Sequence, residues 1–313
     1  MNKPKVYIDG KEGTTGLQIY DRLAAREDIQ LLLIDEDKRK DAAERKKFLN
    51  AADLVFLCLP DAAAVEAVSL IDNDHTRVID CSTAHRTNPD WVYGFPELKK
   101  EQREAISAAK RVANPGCHAT GFLACVAPLR QVGAIQPDYP LTCWSLTGYS
   151  GGGKKMIAEY EDPGRDPLLA GPAPYSLGMK HKHLPEMQKI AGLDYPPAFL
   201  PVLGDVYKGM CTTVMLHNTH LGKHLEAEEI YDLLAFHYSG GPVVKTAPFG
   251  EAPARLYTSQ MAGTDGLLLT ATGHQDQTLI TAQFDNLGKG ASGAAVQNMN
   301  LMLGFEEAKG LAL

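Results

Sequence analysis

Lys5-Val6-Tyr7-Ile8-Asp9-Gly10-Lys11-Glu12-Gly13-Thr14-Thr15-Gly16-Leu17-Gln18-Ile19-Tyr20-Asp21-Arg22-Leu23 is the stretch that decides the fold of the first half of this chain. Its first five residues are rich in β-branched and aromatic side chains and predict a strand. Gly10, Gly13 and Gly16 punctuate the turn that follows, and apolar residues at helical spacing run on through Leu23. Strand, glycine turn and helix, in that order, cradle a dinucleotide pyrophosphate: glycine lets the backbone approach closely, and a helix N-terminus presents N–H groups and partial positive charge. The spacing is GxxGxxG, not GxGxxG, so a tight turn without ligand is the competing use; its place in a βαβ unit favours the nucleotide.

Working outward, Leu31-Leu32-Leu33-Ile34-Asp35 predicts the second strand. Asp35 stands where a carboxylate binds an adenosine 2′-hydroxyl, which suggests NAD. Lys38, Arg39 and Lys40 follow and could pair with a 2′-phosphate, which suggests NADP. These residues alone leave the two open. Ala52-Asp53-Leu54-Val55-Phe56-Leu57-Cys58-Leu59-Pro60 is nearly continuous apolar sequence, as a buried parallel strand requires. A helix from 62 to 71 and a strand Arg77-Val78-Ile79-Asp80-Cys81-Ser82 follow. The loop Ser82-Thr83-Ala84-His85-Arg86 then lies at the carboxyl edge of the sheet, where open α/β folds bind ligands. Arg86 there could hold a phosphate or a loop carbonyl.

The same edge receives Val112-Ala113-Asn114-Pro115-Gly116-Cys117-His118-Ala119-Thr120. A strand runs into Asn-Pro-Gly, a sharp turn, and Phe122-Leu123-Ala124 continues as helix. Cys117 therefore sits at a helix N-terminus, where the dipole and free N–H groups favour the thiolate that attacks carbonyl carbon. The competing use is a small buried hydrophobe.

The second half reads as a different domain. Leu141-Thr142-Cys143-Trp144-Ser145-Leu146-Thr147 predicts a strand that empties into the loop Gly148-Tyr149-Ser150-Gly151-Gly152-Gly153-Lys154-Lys155. Lys180-His181-Lys182-His183-Leu184-Pro185-Glu186-Met187 gathers two histidines and two lysines near a helix start, with Pro185 and Glu186 suited to the first turn. A thiol mechanism needs a group that moves a proton near neutral pH, and histidine is the usual one. His118 is a rival, expected to point away along its helix. Strands are predicted around Leu200-Pro201-Val202-Leu203, from Met210 to His217, from Leu267 to His274 and from Thr278 to Asp285, with a helix opening at Glu226-Ala227-Glu228-Glu229 between them. Many strands and few helices mark an α+β domain. A final helix begins within Gly288-Lys289-Gly290-Ala291-Ser292-Gly293-Ala294-Ala295, small residues that call for close packing, and its apolar spacing sends it back to the first domain.

At 313 residues, two domains are expected. A net charge of -7 argues against a nucleic-acid partner. The six cysteines form no CxxC pair, and the ten histidines show no zinc spacing, so no metal is expected. With no signal-like segment or long apolar span, a reducing cytoplasm and no membrane partner fit best.

Together these pieces resemble the N-acetyl-gamma-glutamyl-phosphate reductases of the aspartate-semialdehyde dehydrogenase-like superfamily, more distantly similar to glyceraldehyde-3-phosphate dehydrogenase. The resemblance runs along nearly the whole chain. It is carried by Gly10, Gly13 and Gly16, by Asn114-Pro115-Gly116-Cys117, by His181-Lys182-His183-Leu184-Pro185-Glu186, and by Lys289-Gly290-Ala291-Ser292-Gly293-Ala294-Ala295-Val296-Gln297-Asn298-Met299-Asn300. The short length and the 82–86 loop look like the shorter branch of that family.

The resemblance implies an α/β fold: an N-terminal Rossmann domain over 1–116 and 287–313, and a central α+β catalytic domain over 117–286. It implies NADPH as hydride donor, a small-molecule acyl-phosphate substrate, and a homo-oligomer. Cys117 maps onto the nucleophile and His183, chosen over His181, onto the general acid. Gly10, Gly13, Thr14, Thr15, Gly16, Leu17, Cys58, Pro60 and Ser82 are the residues expected against the dinucleotide, with Ser150, Gly151 and Asn286 placing the nicotinamide. Arg86 and His181 are expected at the substrate. A related reductase acting on an aminoadipate or aspartate phosphate is the alternative, although the aspartate enzymes place a Gln before the SGxG loop where this chain has Ser145 and Thr147.

Overall fold

The structure is a computed structural model and describes residues 3–313. The chain forms two compact units: Met1–Pro96 with Glu101–Pro115 and Ala291–Leu311, and Glu97–Lys100 with Gly116–Gly290 and Ala312–Leu313.

In the first unit, strands β1 (Lys5–Asp9), β2 (Gln30–Leu32), β3 (Leu54–Leu57), β4 (Arg77–Asp80), β5 (Val92–Tyr93) and β6 (Arg111–Ala113) make one sheet in the order β2-β1-β3-β4-β6-β5. Every pairing is parallel, with Val6 beside both Leu31 and Leu54. All four residues of β3 are buried, which is why its sequence does not alternate. The order reverses between β1 and β3, the switch point at which such sheets bind ligands. Helix α1 (Thr14–Ala24) follows the glycine turn, α2 (Ala42–Ala51) and α3 (Asp61–Ser69) flank β3 in sequence, and α4 (Gln102–Ala108) precedes β6. One core cluster joins Val6, Ile8, Ile19, Phe56 and Ile79 to Ala295, Val296, Met299 and Met302 of the last helix. That helix therefore returns to the first sheet, as its apolar spacing predicts.

One expectation is corrected here. The second strand ends at Leu32, because Leu33 is 56% exposed and Asp35 already caps a short 3-10 turn. The helix α2, the strand β5 and the helix α4 carry too weak a pattern to have been singled out.

In the second unit, α5 (Cys117–Gln131) leads to β7 (Thr142–Gly148), α6 (Gly153–Glu161), β8 (Ala173–Pro174), α7 (Leu184–Ala191), β9 (Ala198–Gly204) and β10 (Met210–His217). Helix α8 (Ala227–Tyr238), β11 (Val244–Thr246), β12 (Leu267–Gly273) and β13 (Gln277–Phe284) follow. The mixed sheet runs β11-β12-β13-β10-β7-β9-β8. Helix α5 packs on β10 and β13, buried from His118 to Leu129, so closely that a Cβ on Gly121 would lie 2.5 Å from Thr212 Oγ1. Helix α8 packs against β12, and its capping box joins Glu226 and Glu229. The predicted glycine–serine loop after β7 is instead a 3-10 turn and the helix α6, separated by a break at Gly153, whose φ of +78° glycine accommodates. After β13 a π-helical turn, Gly288–Ser292, runs into α9 (Gly293–Leu303).

Glu97–Lys100 joins the second unit although its sequence neighbours do not. The buried Glu97 carboxylate pairs with Lys289 Nζ at 2.7 Å, and Gln131 Nε2 donates to the Leu98 carbonyl. That segment departs from the 1–116 boundary.

Candidate active site

Cys117 is the first residue of α5, with Gly116 as its extended N-cap at φ −79° and ψ 146°. The Gly116 carbonyl accepts from Thr120 N–H at 2.8 Å, the first intrahelical bond. The N–H groups before it are those that an α-helix leaves without an intrahelical acceptor. The buried Gly116 N–H donates to Glu186 Oε1 at 2.8 Å, and Glu186 is only 2% exposed. A charge-assisted bond from α7 thus pins the turn that aims Cys117. Gly290 presses on the same residue: a Cβ there would lie 2.9 Å from Cys117 Cβ. The small residues of the 288–294 run are explained at this point by the nucleophile itself.

Around the helix start stand three imidazoles. The His118 and His181 ring centres are 5.2 Å apart, those of His181 and His183 4.7 Å, and those of His118 and His183 5.7 Å. Phe199 meets both His118 and His181 edge-on. The His118 ring is buried inside this cluster, because the face of α5 that follows Cys117 packs on the sheet. His118 Nδ1 bonds Ser145 Oγ at 2.8 Å, Ser145 Oγ bonds Thr212 Oγ1 at 2.7 Å, and His118 Nε2 bonds Tyr175 Oη at 2.7 Å. His183 N–H donates to His181 Nδ1 at 3.1 Å.

Burial, with His181 and Lys182 nearby, holds His118 well below the usual imidazole range. Burial and then Lys182 push His181 down to about 4. Both rings are neutral near pH 7. Burial, and next the charge of Cys117, raises the Tyr175 hydroxyl, so this phenol stays protonated beside the nucleophile. Burial also raises Cys125, Cys143 and, to about 11, Cys211, which leaves these thiols inert.

Ser150, Gly151 and Asn286, predicted far apart in sequence, come together. Asn286 Nδ2 donates to Ser150 Oγ at 3.0 Å, its Oδ1 accepts from Gly209 N–H at 2.9 Å, and a Cβ on Gly151 would stand 3.4 Å from Asn286 Nδ2. Both ends of the Asn286 amide are engaged, so it positions Ser150.

In the first unit a cavity of about 690 Å³ lies at the switch point, a size suited to a cofactor. Gly10, Gly13, Cys58 and Pro60 line it, together with Arg39 and Lys40. Gly10 has φ +85°, and a Cβ there would meet the Cys58 carbonyl oxygen at 2.4 Å; a Cβ on Gly16 would meet the Gly10 carbonyl oxygen at the same distance. The glycines are thus required by the turn and fit a bound pyrophosphate. Thr14, Thr15, Gly16 and Leu17 form the first turn of α1 without lining the cavity. Asp9 is buried at the cavity floor against Arg45, 2.9 Å away. Asp35 lies outside the lining and pairs with Lys38 at 3.3 Å.

Ser82 and Arg86 are tied into the first unit. Ser82 Oγ donates to Asp80 Oδ2, which also bonds His85 Nδ1, and the His85 ring stacks on Trp91. Arg86 Nε donates to the Asn114 carbonyl at 2.9 Å and Nη2 to the Cys81 carbonyl at 3.1 Å. The carbonyl role set beside the phosphate role is therefore in use. Tyr175 and the anchoring role of Glu186 were missed. The HxHxPE string marked Glu186 only as a dipole residue, and its partner Gly116 is 70 residues away.

Among the described residues no group of His, Cys, Asp and Glu could hold a metal ion, and no helix is long and apolar enough to cross a membrane.

Comparison with known proteins agrees with this geometry. Residues 30–107 match the family described as semialdehyde dehydrogenase, NAD binding domain, and residues 117–286 match semialdehyde dehydrogenase, dimerisation domain. The N-acetyl-gamma-glutamyl-phosphate reductases of Brucella anthropi and Brucella canis are each 48% identical over 308 residues, covering 96% of this chain and 99% of the relative. The fold is shared with aspartate semialdehyde dehydrogenase II from Vibrio cholerae (TM-score 0.74, 18% identity, 96% of this chain and 99% of that one). It is shared too with aspartate semialdehyde dehydrogenase from Francisella tularensis (TM-score 0.70, 15% identity, 95% and 99%). A glycine cradle at the switch point of a parallel sheet, a cysteine opening a helix among imidazoles, and matches over both units place the chain in the semialdehyde dehydrogenase family.

Proposed function

We propose that the chain reduces N-acetyl-L-glutamyl 5-phosphate, the compound in the name of its 48%-identical relatives, to N-acetyl-L-glutamate 5-semialdehyde and phosphate, with Cys117 as nucleophile and His183 as general acid. The observation that carries this reading is Cys117 at the first turn of α5, its N-cap fixed by Glu186, Tyr175 beside it, and His181 and His183 clustered on the ring of the next residue, His118.

The Cys117 thiolate attacks the acyl carbon, phosphate leaves, and a thioester remains on the chain. When bound, a reduced nicotinamide would supply the hydride that a thioester accepts and a carboxylate does not. N–H groups of the first turn of α5 stabilise the oxyanion of the resulting thiohemiacetal, and His183 gives it a proton. Collapse to the semialdehyde returns the thiol. His181, neutral and held by the bond its Nδ1 accepts from the His183 backbone N–H, supplies a neutral contact to substrate.

NADP is favoured over NAD. Arg39 and Lys40 line the cavity that Gly10 and Gly13 open, whereas Asp35 stands outside it. Gly10, Gly13, Cys58 and Pro60 would hold the dinucleotide, with the first turn of α1 at the pyrophosphate and Ser150 and Gly151, braced by Asn286, at the nicotinamide. A homo-oligomer is supported by the sheet face opposite α5. There Leu200 of β9, Met215 of β10 and Leu279 of β13 are 44%, 39% and 46% exposed, with Met215 paired to Leu279 and β7 between β10 and β9. The free state of all six cysteines fits a reducing cytoplasm.

Assay of the N-acetylglutamyl, aspartyl and aminoadipyl phosphates side by side tests the substrate. The reading requires a large preference for the first with NADPH; equal or greater turnover of either other acyl phosphate removes it. Cys117→Ser is expected to abolish reduction and leave NADPH binding nearly intact.

A further inference from the structure

Cys58 and Cys81 form a second pair of reactive atoms that the mechanism does not use. Cys58 comes one residue after β3 and Cys81 one residue after β4, just past the paired Leu57 and Asp80. Neighbouring strands are about 4.8 Å apart. That spacing falls within the Cα separation of about 4.4–6.8 Å that a disulfide spans. The two side chains share a face: Leu54, Phe56 and Cys58 alternate onto one side, as do Ile79 and Cys81, and all five pack in one cluster. Of the six cysteines, only Cys58, Cys81 and Cys117 are not buried. Cys58 also lines the dinucleotide cavity, and its carbonyl oxygen leaves no slack against Gly10, where a Cβ would stand at 2.4 Å.

We propose that Cys58 and Cys81 are a redox-sensitive dithiol whose closure to a disulfide by a peroxide weakens dinucleotide binding. The proposal rests on the reading that this cavity holds the dinucleotide. The neighbouring Cys81, and next burial, hold the Cys58 thiol well above the usual range, and the proposal gives the first attack to Cys81. The Cys81 sulfur attacks one peroxide oxygen, giving a sulfenic acid and one water. The Cys58 sulfur then attacks that sulfenyl sulfur, the S–S bond forms, and a second water leaves. Two thiols lose two protons and two electrons, and hydrogen peroxide becomes two waters. Closure draws the Cys58 side chain across the cavity wall toward Cys81. Because the Cys58 backbone abuts Gly10, the shift is passed to the phosphate turn.

The test uses full-length chain carrying Cys117→Ser, which removes the competing nucleophile. Protein is treated with hydrogen peroxide, with and without prior NADPH, and then digested for mass spectrometry. NADPH affinity is read by fluorescence titration. The expected results are a Cys58–Cys81 linkage reversed by dithiothreitol, slower linkage when NADPH is bound, and an affinity loss of at least about tenfold, or about 1.4 kcal/mol. A further Cys81→Ser change should match the reduced parent in NADPH affinity and keep that affinity through peroxide. Oxidation that leaves Cys58 and Cys81 unlinked overturns the proposal, as does a linkage that leaves NADPH affinity unchanged. A reduced chain that binds no NADPH overturns the functional reading instead, which separates the two failures.

Discussion

At the scale of single residues, the chemistry divides between atoms that react and atoms that aim them. His183→Asn is expected to lower kcat by at least about a hundredfold, the usual contribution of a positioned general acid. His181→Asn should act mainly on KM, since its ring is already neutral. Steady-state kinetics of the two variants compares them directly, and a kcat loss confined to His181→Asn inverts the assignment. Glu186 does not touch substrate in this account. Glu186→Ala strips the acceptor from the buried Gly116 N–H, a loss of about 1–3 kcal/mol in stability. Alkylation of Cys117 by iodoacetamide should slow in this variant, and Glu186→Gln should restore most of the rate because an amide oxygen can still accept. Equal alkylation rates in all three proteins would refute the aiming role.

At the scale of elements, the contact between the π-helical turn and α5 sets the tightest demand. Gly290→Ala places a methyl carbon 2.9 Å from Cys117 Cβ. The expected cost is about 1–3 kcal/mol, the range for overpacking a filled core, with kcat reduced because Cys117 itself must shift. Urea unfolding and kinetics check the two effects, and a variant that keeps both wild-type values contradicts the close packing. Elements were legible where local chemistry settles them. The strand β1, the turn at Gly10, the helix starting at Cys117 and the strands β7, β10, β12 and β13 all follow from side-chain period and from Gly or Pro punctuation. Elements that rest on tertiary partners were not legible. The strand β2 stops early because Leu33 finds no cover, and His118 turns inward to meet Ser145 and Tyr175. The pairs Glu186 with Gly116 and Glu97 with Lys289 span 70 and 192 residues, beyond any local pattern. The nucleophile was readable because helix-start chemistry is local; its supports were not.

At the scale of the whole molecule, the buried imidazoles tie stability to pH. His118 and His181 both titrate below the ordinary 6.5 in the folded chain, mainly because of burial. The unfolded chain therefore binds more protons below pH 6.5, and stability falls as pH drops. Above that value these two groups add no slope. For His181 the loss runs from about pH 6.5 to about 4, where the folded ring takes its proton. Urea midpoints across this window should decline steadily, and His118→Asn or His181→Asn should flatten the decline. A midpoint that is flat in the parent chain would show that the rings are not held neutral.

The covalent stage is tested most directly by intact-protein mass spectrometry of enzyme mixed with N-acetyl-L-glutamyl 5-phosphate, without dinucleotide, and quenched in acid. The account predicts one N-acetylglutamyl adduct, mapped to Cys117 and discharged by added NADPH. An unmodified Cys117 in protein that still turns over on NADPH addition, or an adduct on another residue, would contradict it.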